Sequence, residues 1–289
     1  MSEKINVITF TDPMMGLSYE SEPVFRKLET HFDDNIEFQY LMNVLVRDVF
    51  ELVDSSDLFI SKELAVKNYN AKLAKIYESE ESISDMPINM KDFRLFSTEN
   101  TTSLPLNLAY KAVQIIDSRK ADEFLYKLRY ATIVDCRPTT RTDEILKVVR
   151  EIKIDEKEFL NQFTGKKAAE SLEKDLKFAY RLGIRTLPAY LIMYGEEGAL
   201  YQRLLNYDDF VRIIDHLSNN KIKPRTVEKN LDSLRKFLRN HSLISSIEIR
   251  EAFDFNNLDE VMKFIMPMVE TNEIKIVDVG RGWFVKVNI

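Results

Sequence analysis

Apolar and polar positions along the chain change period several times, and each change predicts an element. Residues 5–10 are dense in β-branched and aromatic side chains and read as a buried strand. Beyond them Val24, Leu28 and Phe32 recur at i, i+4 and i+8, which gives a helix over 23–32 one apolar face. The turn cluster Asp33-Asp34-Asn35 precedes a second apolar run over 36–46, read as another strand. Strand, helix, strand in that order predicts a parallel pair with a crossover helix. Helical spacing then dominates 61–77, 106–116, 121–130, 143–151 and 156–163, with Thr142 a candidate cap. Between the first two of these, residues 79–102 are polar, contain Pro87, and read as a surface loop.

A long amphipathic helix over 167–182 runs into Gly183, a helix stop. Arg185-Thr186-Leu187-Pro188 opens an apolar strand over 189–194. Gly195-Glu196-Glu197-Gly198 turns it into a strand over 200–205, and a helix over 207–217 closes the unit. Residues 218–224 are polar and basic and mark a domain boundary. After it, helices over 228–240, 247–255 and 258–271 precede a hairpin, 273–279 and 283–287, turning at Gly280-Arg281-Gly282. Three helices followed by a hairpin form a winged-helix pattern.

The strand-to-helix corner Asp12-Pro13-Met14-Met15-Gly16-Leu17-Ser18-Tyr19-Glu20-Ser21-Glu22-Pro23 resembles that of the DsbA family of thioredoxin-like proteins, where it carries Cys-x-x-Cys. Gly183-Ile184-Arg185-Thr186-Leu187-Pro188-Ala189 is similar to the family's Gly-x-x-x-x-Pro before a strand. Ser103 to Ala112 looks like the start of its central inserted helix. The resemblance implies an α/β fold: a thioredoxin core over 1–220 with a helical insertion at about 55–165, followed by a winged-helix-like domain over 225–289. It also implies that Pro188 is cis and faces Met15, and that a binding groove is lined by Met15, Gly16, Leu17, Ser18, Tyr19, Arg47, Thr186, Leu187 and Pro188. Within the family the layout is most similar to the FrnE-type branch, described as dithiol–disulfide isomerases, and to the SpxH (YjbH) proteins, adaptors for the ClpXP protease.

The departure from the family is chemical. Its two sulfur positions hold Met15 and Ser18, and a helix N-terminus that depresses a thiol pKa has no thiol to act on. Disulfide exchange needs an attacking thiolate, so no catalytic residue is assigned. The expectation is a non-redox binder of a protein or peptide client. Rival readings are a dithiol–disulfide isomerase, an isomerase or transferase in which Ser18 donates to a small thiol such as glutathione, and a winged-helix DNA binder.

Each candidate side chain also has a plainer reading. Met14 and Met15 offer a soft contact surface or fill core. Ser18 binds an anion at the helix start or simply caps it. Glu20 and Glu22 serve as acids or complement the helix dipole. Arg47, beside Asp48, grips a carboxylate or sits in a surface ion pair. Cys136 has its pKa lowered by Arg137 or is structural. Among the histidines, His31 lies 13 residues from Ser18, roughly 20 Å along a helix; His216 and His241 fall in segments placed at the periphery, so no Ser-His arrangement is expected.

Composition narrows the classes further. The chain has 289 residues, a net charge of −6 and 7 glycines, with no Gly-rich phosphate loop. One cysteine and three scattered histidines give no zinc spacing, so neither metal nor cofactor is expected. A single thiol suits a reducing cytosol, and no charged-then-apolar leader opens the sequence, so the expected location is the cytoplasm. No apolar run approaches 18 residues, which argues against a membrane span. Residues 225–289 carry ten basic and ten acidic side chains. That neutrality disfavours nucleic acid as a partner, since phosphate contact needs a basic excess.

Overall fold

A computed structural model describes residues 3–288. Its central sheet contains β1 (Ile5–Thr11), β2 (Ile36–Met42), β3 (Ala189–Tyr194) and β4 (Glu197–Tyr201) in the order β2-β1-β3-β4. The β1–β2 pair is parallel, as a crossover requires, and the other two pairs are antiparallel. The crossover holds a five-residue helix, α1 (Gly16–Glu20), and then α2 (Glu22–Phe32). Phe25, Leu28 and Phe32 of α2 pack on the sheet together with Phe210 and Ile214 of α10 (Tyr207–Leu217). The hairpin turn comes early: β4 begins at Glu197, inside the expected turn, and the 200–205 reading was shifted towards the C-terminus.

The second strand stops at Met42, short of 46. The N–H groups of Leu45 and Val46 are taken by Asp12 and Ser103 and leave the ladder. Seven helices, α3 (Ser55–Ile60), α4 (Lys62–Glu80), α5 (Leu104–Ile116), α6 (Ala121–Ile133), α7 (Thr142–Glu151), α8 (Glu156–Phe163) and α9 (Lys166–Arg181), make the insertion and its return. Thr142 is the first residue of α7 and not its cap; Arg141 holds that place without a side-chain bond. A buried ion pair, Lys111 with Asp175 at 2.8 Å, joins α5 to α9. Asp175 also accepts the Met42 N–H at 2.9 Å, which fixes α9 against the end of β2. Gly183 follows α9 at φ +68°, the left-handed stop that a glycine reaches without strain.

The surface-loop reading of 79–102 is corrected. The segment has little regular structure, yet Met86, Ile88, Phe93, Leu95 and Phe96 are buried in the main core cluster. It is a strap over the strand-to-helix corner. After residue 224 come α11 (Leu231–Leu238), a three-residue strand β5 (Leu243–Ser245), α12 (Ser246–Ala252), α13 (Leu258–Glu270), β6 (Ile274–Asp278) and β7 (Trp283–Val287). The strands form a sheet in the order β5-β7-β6 around their own apolar cluster. The helix order matches expectation, and β5 is an addition. In α13 Val261, Ile265 and Met268 are buried, so its methionine-rich stripe is largely core.

Candidate functional site

The corner where the resemblance places disulfide chemistry is built by the end of β1, α1, and the turn Pro188–Ala189. Asp12 is fully buried and accepts from the N–H groups of Met14 (3.0 Å) and Leu45 (2.8 Å), from Ser103 Oγ (2.6 Å) and from Asn107 Nδ2 (2.9 Å). Burial pushes its carboxyl above the ordinary range even so, the four donors opposing that rise. The side chain therefore acts as a knot, binding the corner to the loop after β2 and to the start of α5. The Leu187–Pro188 bond is cis, as the resemblance implies. Phe10 pairs with Ala189 in the sheet, so Pro188 follows one step on, at the place facing Thr11. The Thr11 hydroxyl donates to Ser18 Oγ at 2.7 Å. Proline loop and α1 thus meet across Thr11.

They do not enclose an open groove. Met15, Gly16, Ser18 and Tyr19 are buried, and only Leu17 is partly accessible at this corner. The cover is the strap and the helix before it. The Tyr77 hydroxyl donates to the Met14 carbonyl, and the Tyr19 hydroxyl donates to the Pro87 carbonyl at 2.9 Å. A Cβ on Gly16 would overlap the Glu80 carboxylate and the Tyr77 ring, so glycine is needed here for close approach. Met14 belongs to the main core cluster, and Met15 is buried, so core filling fits both better than a soft contact surface. Ser18 is neither a cap nor exposed, because α1 starts at Gly16 without a side-chain cap.

Two acidic side chains, Glu20 and Glu80, are drawn in under the strap, and a third, Glu81, lies on its outer side. Glu20 is 1% exposed, and burial pushes its carboxyl up to about 8; the Ser84 hydrogen bonds oppose the rise, and the charges of Glu80 and Glu81 add to it. Burial also lifts Glu80, to about 7. Among the described residues, Glu20 Oε1 and Glu80 Oε2 have no hydrogen-bond partner. Glu81 faces outwards and takes Arg281 Nη1 at 2.7 Å, from the turn between β6 and β7.

Behind α1 a charged network runs to the C-terminal unit. Arg129 on α6, 1% exposed, donates to Thr11 Oγ1 at 3.0 Å and pairs with Glu22 at 2.5 Å. Glu22 also pairs with Arg26 at 2.7 Å, and Arg26 reaches Glu248 of α12 at 3.2 Å. The Tyr126 hydroxyl donates to Glu248. Glu22 is thus a partner of two guanidinium groups rather than a solvent-facing acid. Its cross-links, Arg129 to Glu22 and Arg26 to Glu248, were not legible in sequence, since each joins residues more than 100 positions apart. A polar cavity of about 340 Å³ opens beside it, between α2, β2, α6 and residues 239–243. Several of its polar side chains are paired, His241 with Glu29 (2.8 Å) and Lys127 with Glu123 (3.0 Å) among them. His241 is therefore an inter-unit contact and not a peripheral residue.

Of the other expected groove residues, Arg47 and Thr186 are exposed, Leu187 is half-buried and Pro188 is buried. Gln202 orders their loop, accepting from the Arg185 N–H at 2.8 Å and donating to the Gly183 carbonyl at 3.1 Å. Among the described residues, the N–H and C=O of Leu187 enter no hydrogen bond. Cys136 is half-buried and its thiol donates to the Asn89 carbonyl at 2.6 Å. Burial and the charges of Asp135 and Asp92 push the thiol up to about 11, which fits the structural reading of this cysteine and not a thiol activated by Arg137. Among the described residues no cluster of His, Cys, Asp and Glu could hold a metal ion, and no helix is long and apolar enough to cross a membrane.

Comparison with known proteins agrees with this geometry. A family model described as Thioredoxin matches residues 8–211. The chain is 22% identical over 283 residues to the ClpXP adapter protein SpxH of Halalkalibacterium halodurans, spanning 97% of this chain and 88% of that one. It is 18% identical to the ClpXP adapter protein SpxH of Shouchella clausii, spanning 98% and 88%. Among solved structures, the cytosolic disulfide reductase DsbM from Pseudomonas aeruginosa superposes with a TM-score of 0.55 at 14% identity, covering 74% of this chain and 98% of that one.

Proposed function

The chain belongs to the thioredoxin family, has one cysteine and that one outside the exchange corner, and we propose on that premise that it is a non-redox adaptor that captures a protein or peptide client. The observation that carries this reading is the similarity to two SpxH adaptors over nearly the whole chain, the C-terminal residues included. By that likeness the client is handed to a ClpXP-type protease in the cytoplasm, and residues 225–289 form a winged-helix-like domain that completes the adaptor. Chemistry at the corner points the same way. A thiolate is required for exchange, Met15 cannot supply one, and Cys136 is held protonated inside the insertion. Ser18 is 2% exposed and its oxygen is already bonded to Thr11, which leaves it poorly placed to serve glutathione.

The capturing surface is the rim of the old groove and not its floor. Arg47, Thr186 and Leu187 remain reachable, while Met15, Gly16, Ser18 and Tyr19 are covered. The unpaired backbone of Leu187 can accept an extended segment by strand addition, and Arg47 can meet a carboxylate.

The test is capture from native cytosol with crosslinking, comparing wild type with Leu187→Asp. The expected result is recovery of a protease subunit and a small set of clients by wild type, with the clients lost in the variant. Client recovery unchanged by Leu187→Asp would refute the rim as the binding surface. Insulin reduction above the uncatalysed rate would refute the non-redox reading.

A further inference from the structure

We propose that the rim selects its client by charge: the segment it takes is extended, carries Asp or Glu at both ends, and seats an apolar side chain between them. This rests on the adaptor reading and names the chemistry of its client. The rim is one surface because three segments are tied to the end of β1. The Asn43 N–H donates to the Thr11 carbonyl at 2.8 Å, and Pro188 lies on the other side of Thr11. The loop after β2 and the proline turn therefore flank one strand end, about 10 Å apart at two strand spacings. The stretch before α5 is fastened to that loop. The Ser103 N–H donates to the Val46 carbonyl at 2.9 Å, and the Val46 N–H donates to Ser103 Oγ at 3.1 Å. Leu45 and Leu104, 44% and 39% exposed, stand on these two joined strands of loop. On the proline side Phe178, Leu182, Ile184 and Leu187 are partly buried around one apolar cluster, with the Arg181 guanidinium 5.9 Å from the centre of the Phe178 ring.

Charge tells what the rim takes. Residues 43–47, 101–107 and 176–194 contain no carboxylate, and they contain Arg47, Lys177, Arg181 and Arg185, all exposed. Lys177 is spent on Glu173 at 2.7 Å, and Arg203, which follows Gln202, is spent on Asp209 at 3.0 Å. Arg47, Arg181 and Arg185 enter no ion pair among the described residues. Most of the neighbouring acids are engaged. Asp12 is buried among its four donors, Asp48 accepts the Phe50 N–H, and Glu99 accepts from the Ser97 and Thr98 hydroxyls. Glu51, four residues after Arg47, is exposed. The rim thus presents three unspent arginines against one such acid, in a chain whose net charge is −6. A guanidinium donates two parallel N–H bonds to a carboxylate, which fixes its orientation as well as its distance. Arg47 stands on one side of the apolar floor, and Arg181 and Arg185 stand on the other. The open N–H and C=O of Leu187 hold the segment extended between them. Acids on the client supply steering and register, and its apolar side chain supplies the burial against Leu45, Leu104 and Leu187.

The experiment uses full-length protein and fluorescent peptides of about 8 residues, which at about 3.3 Å each cross the rim with some to spare. One peptide has Asp and Glu on both sides of a central Leu. Its twins carry Asn and Gln, or Lys, in place of the acids, and anisotropy is the readout. The acidic peptide should bind at least about tenfold more tightly than the Lys twin, and higher salt should weaken it. Combining Arg47→Glu, Arg181→Glu and Arg185→Glu should invert the order, so that the Lys twin binds more tightly than the acidic peptide. The three side chains are exposed and unpaired, so a matched thermal melt is expected, and the comparison of twins on wild type stands whether or not the variant folds. Equal binding of the three peptides to wild type, or an order unchanged in the variant, overturns the proposal. An oligodeoxythymidine of the same length that binds as tightly as the acidic peptide also overturns it, assigning the arginines to nucleic acid. Failure of the client rim is read separately, by capture: clients lost in Leu187→Asp while the three peptides bind wild type equally would leave the rim in place and remove its charge selectivity.

Discussion

Replacing Glu20 with glutamine should make the protein more stable at alkaline pH and change how its stability depends on pH. Glu20 is 1% exposed under the strap, and its carboxyl sits at about 8, against an ordinary value of 4.5. The folded state therefore holds this proton more tightly than the unfolded chain. Stability linked to it is fully present below about pH 4.5 and is lost as the pH rises towards 8. Each pH unit within the window is worth up to about 1.4 kcal/mol, so the loss between pH 5 and 8 comes to roughly 3 kcal/mol. Glutamine keeps an acceptor for the Ser84 hydroxyl, which lies at 2.5 Å, and cannot ionise. Glu80 also sits near 7 and its charge adds to the Glu20 rise, so the comparison is repeated in a Glu80→Gln background, where the pH-dependent difference should persist. The assay is urea unfolding at pH 5, 6, 7 and 8, followed by far-UV circular dichroism and by the fluorescence of Trp283, the single tryptophan. Near pH 5 the two proteins should be close, and by pH 8 the variant should be ahead by roughly 3 kcal/mol. A difference that stays constant across that range would refute the buried, protonated Glu20.

Gly16→Ala should destabilise by about 1–3 kcal/mol, because the added methyl meets the Tyr77 ring and the Glu80 carboxylate and forces the strap outward; thermal unfolding reads this. Glu248→Ala should cost about 3 kcal/mol or more, since the nearly buried Arg26 loses one carboxylate and the Tyr126 hydroxyl loses its acceptor. Its signature is early protease cleavage near residues 218–228. Putting cysteines back at the corner, Met15→Cys with Ser18→Cys, should not restore insulin reduction, because both positions are under cover; brisk turnover would show that the strap opens readily. Cys136 should react slowly with a disulfide reagent at pH 8, as a thiol near 11 is almost wholly protonated there.

Periodicity made most helices legible, to within a few residues at their ends. The α2, α8, α9 and α10 patterns each put a clear apolar stripe on one face, and that stripe is what packs. The sheet core was legible too, because runs such as Ile5 to Phe10 are apolar on both faces. What escaped was short or non-local. The six-residue α3 and three-residue β5 give too few positions for a period to register. The corner motif pointed to the end of β1, the start of α1 and a cis Pro188, yet it carried no sign that Tyr77, Glu80 and Pro87 would close over that corner. Such contacts join residues about 60 to 70 positions apart. A local signal did exist: Met86, Ile88, Phe93, Leu95 and Phe96 are too many apolar side chains for a solvated loop. Their irregular spacing hid them, since a strap has no period.

The turn between β6 and β7 rests on that strap. Gly282 abuts the Pro87 ring, Arg281 holds Glu81, and the Phe284 ring meets Tyr130 edge to face at 4.8 Å. A polypeptide ending at residue 224 would consequently not be a smaller version of this protein. It would leave Met86 and Pro87 without their lid and Arg26 short of one counterion, so any activity measured on such a fragment would describe an unfinished surface.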